Sequence, residues 1–297
     1  MTGSTAGTVI NKLCVIGTGL IGGSFSLALK QAGACEKIIG AGRSEETLQK
    51  AQQLKIIDAY ETDISAAVKD ADVIFVSVPL GATRAVFEKI EAGLQQSANS
   101  KAVITDAGSS KAQVQQIADN VFAENSARFV AGHPIAGTEN SGPGAAFAEL
   151  YKDRRVILTP AENTDNDAVK LVTALWQKTG ARVETMNAQH HDKVLAATSH
   201  LPHVLAFGLV HCLENMEDIE DIFRFAAGGF RDFTRIASSD PTMWRDICLN
   251  NRQPILEMMQ RYKQELDILY NALESADGEK LMEIFKHAKD TRDKFIH

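Results

Sequence analysis

A chain of 297 residues is too long for one small core and suits two domains, and its 44% hydrophobic and 23% charged content is that of a globular protein. A net charge of −7 lacks the basic footprint of a general nucleic-acid binder, so no nucleic-acid partner is expected. Four scattered cysteines without CxxC spacing, no signal peptide in "MTGSTAGTV" and no run of about 18 apolar residues imply a cytoplasmic protein with no membrane partner.

The elements begin with "KLCVIG", an apolar strand in which Cys14 reads as core. "KIIGAG", "DVIFVSVP", "AVITDAG" and "RFVAGHP" follow as further buried strands, with helical spacing between them. Such alternation predicts an α/β domain with a mostly parallel, Rossmann-type sheet covered on both faces. "RRVILTP" and "ARVETM" are two more strands; the helix between them carries Val169, Val172, Leu175 and Trp176 on one face and ends at Gly180. Past Met186 strand signals stop, and the rest reads as helices with wide apolar faces. The expected domains are 1–186 for the dinucleotide and 187–297, an all-α part for substrate binding and dimerisation.

Gly17-x-Gly19-x-x-Gly22 follows the first strand and opens a helix through Leu20 and Ile21, the context a dinucleotide fingerprint needs. The first glycine permits a tight turn, the second lets a pyrophosphate approach, and the third lets helix and strand pack closely. At the end of the second strand Gly42 stands where an acidic residue would bind a ribose, and Arg43 and Ser44 follow. Without a carboxylate to repel a 2′-phosphate, NADP is favoured over NAD. The turn at Val78 and Pro79 ends a strand where the nicotinamide half would lie, although a plain strand-to-helix turn fits it as well.

His133 closes "RFVAGHP", and Ser109, Ser110 and Lys111 follow "TDAG". Ligands of open α/β sheets sit beyond such strand ends. A neutral histidine beside a nicotinamide can take a hydroxyl proton as hydride leaves the same carbon, and a serine can orient the substrate. From the residues alone, a structural histidine bonded to backbone is an equal alternative.

"GHPIAGTENSG", "SHLPH" and "GGFRDFTRIASSDPTMWRDI" together resemble the TyrA family of prephenate and arogenate dehydrogenases, from Leu13 to about Glu257. The resemblance implies oxidative decarboxylation of prephenate or L-arogenate in tyrosine biosynthesis, a homodimer through the helical domain, and a monofunctional chain. It makes His133 the catalytic histidine and Ser109 the serine sharing the ring hydroxyl. It puts Arg235 on a substrate carboxylate and His203 against the substrate. Thr138 and Glu139 line or gate the site, with Trp244 and the Gly228–Gly229 turn nearby. Arg231, four residues before Arg235, reads as a surface residue pairing with neighbouring acids. His190, His191, Asp192, His200 and His203 lack zinc-motif spacing, and Pro202 is expected to break the helix between the last two, so no metal is expected. Asp192 is expected to orient a neighbour or cap the following helix. A β-hydroxyacid or 6-phosphogluconate-type dehydrogenase would need a lysine base in a comparable motif, and a nicotinamide-sensing protein would not need His133, Ser109 and Arg235 together.

Overall fold

The structure, a computed structural model, describes residues 9–97, 101–138 and 140–295. Six strands form one parallel sheet: β1 (Ile10–Ile16), β2 (Cys35–Ala41), β3 (Ala59–Glu61), β4 (Val73–Val76), β5 (Val103–Asp106) and β6 (Phe129–Val130). Their order is β3-β2-β1-β4-β5-β6, the doubly wound arrangement, with its topological switch between β1 and β4. The helices α1 (Leu20–Gln31), α2 (Glu45–Gln53), α3 (Ile64–Ala67), α4 (Thr83–Gln95) and α5 (Ala112–Phe122) intervene along the chain. Two cores flank the sheet, which is why its central strands β4 and β5 are buried along their whole length. One holds Phe25, Phe75, Tyr151 and Trp176, with the Phe25 and Phe75 ring centroids 4.3 Å apart. The other holds Phe87, Phe122, Phe129 and, as its sequence context implied, Cys14.

"RFVAGHP" is not a single strand. The chain leaves the parallel sheet after Val130, and Gly132–Pro134 (β7) joins a second sheet. There β7 is antiparallel to β8 (Arg155–Leu158), and β8 is parallel to β9 (Arg182–Thr185). A Cβ on Gly132 would lie 3.0 Å from the Asp106 carbonyl oxygen, so the crossing from one sheet to the other is too tight for an ordinary side chain to enter freely. His133 therefore stands on the second sheet rather than at the carboxyl end of a parallel strand. Between β8 and β9, α6 (Asn166–Lys178) buries Val172, Leu175 and Trp176. It ends at Gly180 as expected: φ is +82°, and the Gly180 and Ala181 N–H groups donate to the Gln177 and Trp176 carbonyls at 3.0 and 3.3 Å.

The helical part starts with α7 (Ala188–Leu195), one π-helical turn (Ala196–His200) and α8 (Leu201–Glu214) as a continuous run. Pro202 does not break it, because it occupies the first turn of α8, and the widened π turn before it accommodates the missing N–H. This 27-residue run, of mean hydropathy 1.3 over its most apolar window, is long and apolar enough to cross a membrane by length and composition alone, although polar residues interrupt it so that it is not an unbroken apolar run. Its buried His191, Asp192 and His200 are hydrogen-bonded within the protein, whereas α8 buries Leu201 and Ala206 and leaves most of its length partly or fully exposed. Three helices follow: α9 (Ile219–Arg224), α10 (Gly228–Thr234) and α11 (Pro241–Asn250).

The chain divides into compact units Met1–Asn251 and Arg252–His297, so this division falls well after the 186/187 boundary read from the sequence. The second unit is a helix pair, α12 (Arg252–Glu274) and α13 (Gly278–Phe295), exposing Leu266, Leu273, Met282 and Phe285.

Candidate active site

The first and third glycines of the turn are required by the backbone around them. Gly17 has φ +95°, and a Cβ there would lie 2.2 Å from the Ser77 carbonyl oxygen. A Cβ on Gly22 would lie 2.0 Å from the Gly17 carbonyl oxygen, so only glycine lets α1 sit this close to β1. Gly19 faces open space and caps α1 without a side-chain bond, and no acid stands in the first turn. The free N–H groups there suit a phosphate. Gly19, Leu20 and Ile21 line a cavity of about 420 Å³ that runs past Ser77 and Ser109 to His133 and Trp244. β4 ends at Val76, two residues earlier than read from the sequence, so Ser77 lines this cavity while Val78 and Pro79 do not.

At the far end of β2, Gly42 follows the last strand residue and Arg43 is exposed with no ion pair among the described residues. The Ser44 hydroxyl caps α2, accepting from the Thr47 N–H at 3.2 Å and from its hydroxyl at 3.0 Å. Glu45 is turned toward the Tyr60 hydroxyl, 3.1 Å away.

His133 is buried and joined to a chain of hydrogen bonds that fixes its tautomer. The Asp192 carboxylate accepts the N–H groups of Lys111 at 2.7 Å and Ala112 at 2.9 Å, at the start of α5. Ionised, it only accepts, so His191 Nδ1–H donates to it at 2.8 Å. This leaves His191 Nε2 as an acceptor, 2.9 Å from His133 Nδ1. His133 therefore donates through Nδ1 and keeps a lone pair on Nε2. Burial, then the charges of His191, Lys111 and His200, hold its proton affinity well below the usual 6.5. His200 is likewise lowered, to about 4, mainly by burial, and its Nδ1 lies 2.9 Å from the Asn251 amide nitrogen.

A second cavity, of about 670 Å³, shares His133, Thr138 and Trp244 with the first and adds Arg235 and His203. Arg235 heads the single turn after α10 and is exposed to this space. The His203 ring stacks on Trp244 with centroids 3.7 Å apart, and its Nδ1 lies 2.8 Å from the Ser199 carbonyl oxygen. Thr138 accepts the Asn140 N–H at 3.3 Å, while Glu139 lies outside the described residues. Gly228 and Gly229 form the first turn of α10 rather than a separate turn; both face open space and neither lines either of the two cavities. Arg231 is exposed and, among the described residues, makes no ion pair with the neighbouring acids.

The family described as "Prephenate dehydrogenase, nucleotide-binding domain" matches residues 25–185, and "Prephenate dehydrogenase, dimerization domain" matches residues 187–287. The chain belongs to the prephenate dehydrogenase family. Within it, the chain is 39% identical to the prephenate dehydrogenase of Bacillus subtilis over 95% of its own length and 76% of the relative's. It is 38% identical to the cyclohexadienyl dehydrogenase of Zymomonas mobilis over 96% of both chains. Among solved structures, prephenate dehydrogenase from A. aeolicus, in complex with hydroxyphenyl propionate and NAD+, is 37% identical, with a TM-score of 0.89 over 96% of this chain and 98% of that one. The Synechocystis arogenate dehydrogenase is 26% identical, with a TM-score of 0.80 over 96% and 100%.

Several residues of this prephenate dehydrogenase family member escaped the sequence reading. Asp192 does orient its neighbour, but the helix it caps is α5, about eighty residues upstream. Asp246, in α11, accepts the Gly81 N–H at 3.1 Å and so holds the turn that opens α4. A Cβ on Gly81 would meet that carboxylate at 2.7 Å. The Asn251 amide donates to the Asp192 carbonyl at 2.8 Å as well as facing His200. The available signal was charge inside apolar runs; the partners are too distant in sequence for spacing to show them. Among the described residues no group of three or more His, Cys, Asp or Glu side chains could hold a metal.

Proposed function

We propose that the chain catalyses the nicotinamide-dependent oxidative decarboxylation of prephenate to 4-hydroxyphenylpyruvate, and of L-arogenate to L-tyrosine, in tyrosine biosynthesis. The observation that carries this reading is the His133 lone pair: Nε2 is left free by the Asp192–His191 chain, and His133 lines both the cavity of the glycine turn and that of Arg235. The uncapped start of α1 and the open face of Gly19 fit a dinucleotide pyrophosphate. When bound there, the nicotinamide supplies the acceptor for a hydride from the ring carbon bearing the hydroxyl. Arg235 holds a substrate carboxylate, and Trp244 and His203 wall the ring's side of the cavity. Ser109 and His133 hold the hydroxyl, whose hydrogen His133 Nε2 accepts as the carbon is oxidised. The hydrogen returns to the phenol oxygen once the ring carboxylate has left as carbon dioxide. Aromatisation drives the step, so the protein supplies position and proton handling.

NADP is the favoured cofactor over NAD. The support is local: Gly42 presents no carboxylate, Arg43 is free to pair with a 2′-phosphate, and the Ser44 hydroxyl accepts two bonds and keeps its own proton to donate. A homodimer through the helical part agrees with the dimerization-domain match and with the exposed apolar residues of α12 and α13. A cytoplasmic location follows from a biosynthetic role. No lysine lines either cavity, which disfavours a lysine-based β-hydroxyacid dehydrogenase.

The test is reduced-nicotinamide absorbance in four mixtures, prephenate or arogenate with NAD or NADP. Turnover in at least one supports the reaction, with the highest kcat/KM expected for NADP. Turnover with NAD alone overturns the cofactor preference, and silence of folded protein in all four overturns the function.

A further inference from the structure

Lys111 is wholly buried, and its Nζ lies 2.6 Å from Asp106 Oδ2 and 2.6 Å from the Gly132 carbonyl oxygen. Asp106 also accepts the Gly132 N–H at 3.0 Å through Oδ1 and the Gly108 N–H at 2.8 Å through Oδ2. The two ends of one ion pair thus grip both polar groups of Gly132, the residue before His133. The same pair brackets the loop that carries Ser109. It stands where the chain passes from β6 to β7, the point at which the parallel ladder stops supporting it.

We propose that Asp106 and Lys111 are positioning residues, whose ion pair clamps the Ser109 loop to the Gly132 backbone and so fixes Ser109 and His133 relative to each other. The proposal rests on the reading that these two residues face the substrate. A buried ion pair is a poor stabilising device, because desolvation offsets much of its attraction. What this pair supplies instead is directed bonds to two segments that no shared strand ladder joins. It also sets a cation beside the imidazole. The charged and titratable groups around His133 are Asp106 at the end of β5, Lys111 from the loop that follows it, His191 and Asp192 from α7, His200 from the π turn, and His203 and Arg235 across the substrate cavity. Burial lowers the proton affinity of Lys111, the Asp106 carboxylate opposes that, and the charge so held disfavours a second proton on His133.

The experiment uses Lys111→Met and Asp106→Asn in the full chain. Melting checks folding, titration gives dinucleotide affinity, and steady-state kinetics with prephenate run across pH. In folded Lys111→Met, kcat is expected to fall about 100-fold, with the KM for prephenate and the dinucleotide Kd each within about threefold of wild type. The acid limb of its kcat/KM profile moves to higher pH, since one cation has left the imidazole. In Asp106→Asn, kcat falls about tenfold and the acid limb does not move upward, because Lys111 remains. A folded Lys111→Met enzyme with kcat within threefold of wild type overturns the clamp, as does a loss confined to dinucleotide affinity with an unmoved pH profile. If Lys111→Met does not fold, Asp106→Asn decides, and unchanged kcat there overturns the proposal. Wild-type silence in the same assay instead overturns the underlying function.

Discussion

The glycine turn and the histidine cluster do neighbouring work and are built in opposite ways. The turn spans Gly17 to Gly22, and its properties are those of backbone: a positive φ, two close approaches and an uncapped helix start. The cluster draws on Asp106, Lys111, His133, His191, Asp192, His200 and Asn251, and its properties are those of side-chain bonds between distant segments. The turn should therefore fail through sterics, and the cluster through chemistry in a fold that survives.

The sharpest test of that contrast is His133→Asn, which keeps a hydrogen-bonding side chain and removes the base. Turnover is expected to fall by about 10² to 10⁴, with melting temperature and substrate KM nearly unchanged. A variant with wild-type kcat would remove His133 from the chemistry. Next comes the pair Gly22→Ala and Gly19→Ala. The first drives a Cβ against backbone and should lose about 2–3 kcal/mol of stability along with dinucleotide binding. The second enters open space, so its melting temperature should hold while dinucleotide affinity drops; equal melting losses in both would break the comparison. Arg235→Gln should raise the substrate KM about tenfold, equivalent to ~1.4 kcal/mol, with a smaller change in kcat. An unchanged KM would take Arg235 off the carboxylate.

A further effect, spread over a pH window and felt in stability rather than turnover, comes from His200. His200 titrates near 4 in the folded chain against 6.5 for a free histidine, so the unfolded state binds more protons between those values. Its contribution is complete above pH 6.5 and is lost as pH falls toward 4, a change on the order of 3 kcal/mol at most. Melting scans across that window should show stability falling with acidification, and the slope should shrink in His200→Gln. An identical slope in the variant would assign the effect to other groups.

The same contrast explains what the sequence made legible. The strand–helix alternation, the Gly17–Gly22 fingerprint and the Gly180 stop are each written within a few consecutive residues. Local patterns also located His133, Ser109, Arg235, His203 and Trp244, through motifs whose resemblance carried their roles. The switch of sheets around Ala131 was hidden because Phe129 to Gly132 is an unbroken run of apolar and small residues, and such a run has the same look in one buried sheet as in two. The strand ending at Val76 was overrun for that reason too. Pro202 misled because a proline in the first turn of a helix and one that breaks a helix look alike when the preceding π turn cannot be seen. The capping roles of Asp192 and Asp246 were out of reach, since their partners lie 80 and 165 residues away.

Those two carboxylates also govern the order of events during synthesis. Asp192 and Asp246 reach back to the starts of α5 and α4, helices made long before them. A nascent chain that has emerged only as far as residue 186 holds every strand of both sheets, yet the openings of these helices still lack their acceptors. The sheet ends that frame the reaction are finished only when α11 leaves the ribosome. A fragment cut at the apparent domain boundary would carry a fold without its last fasteners.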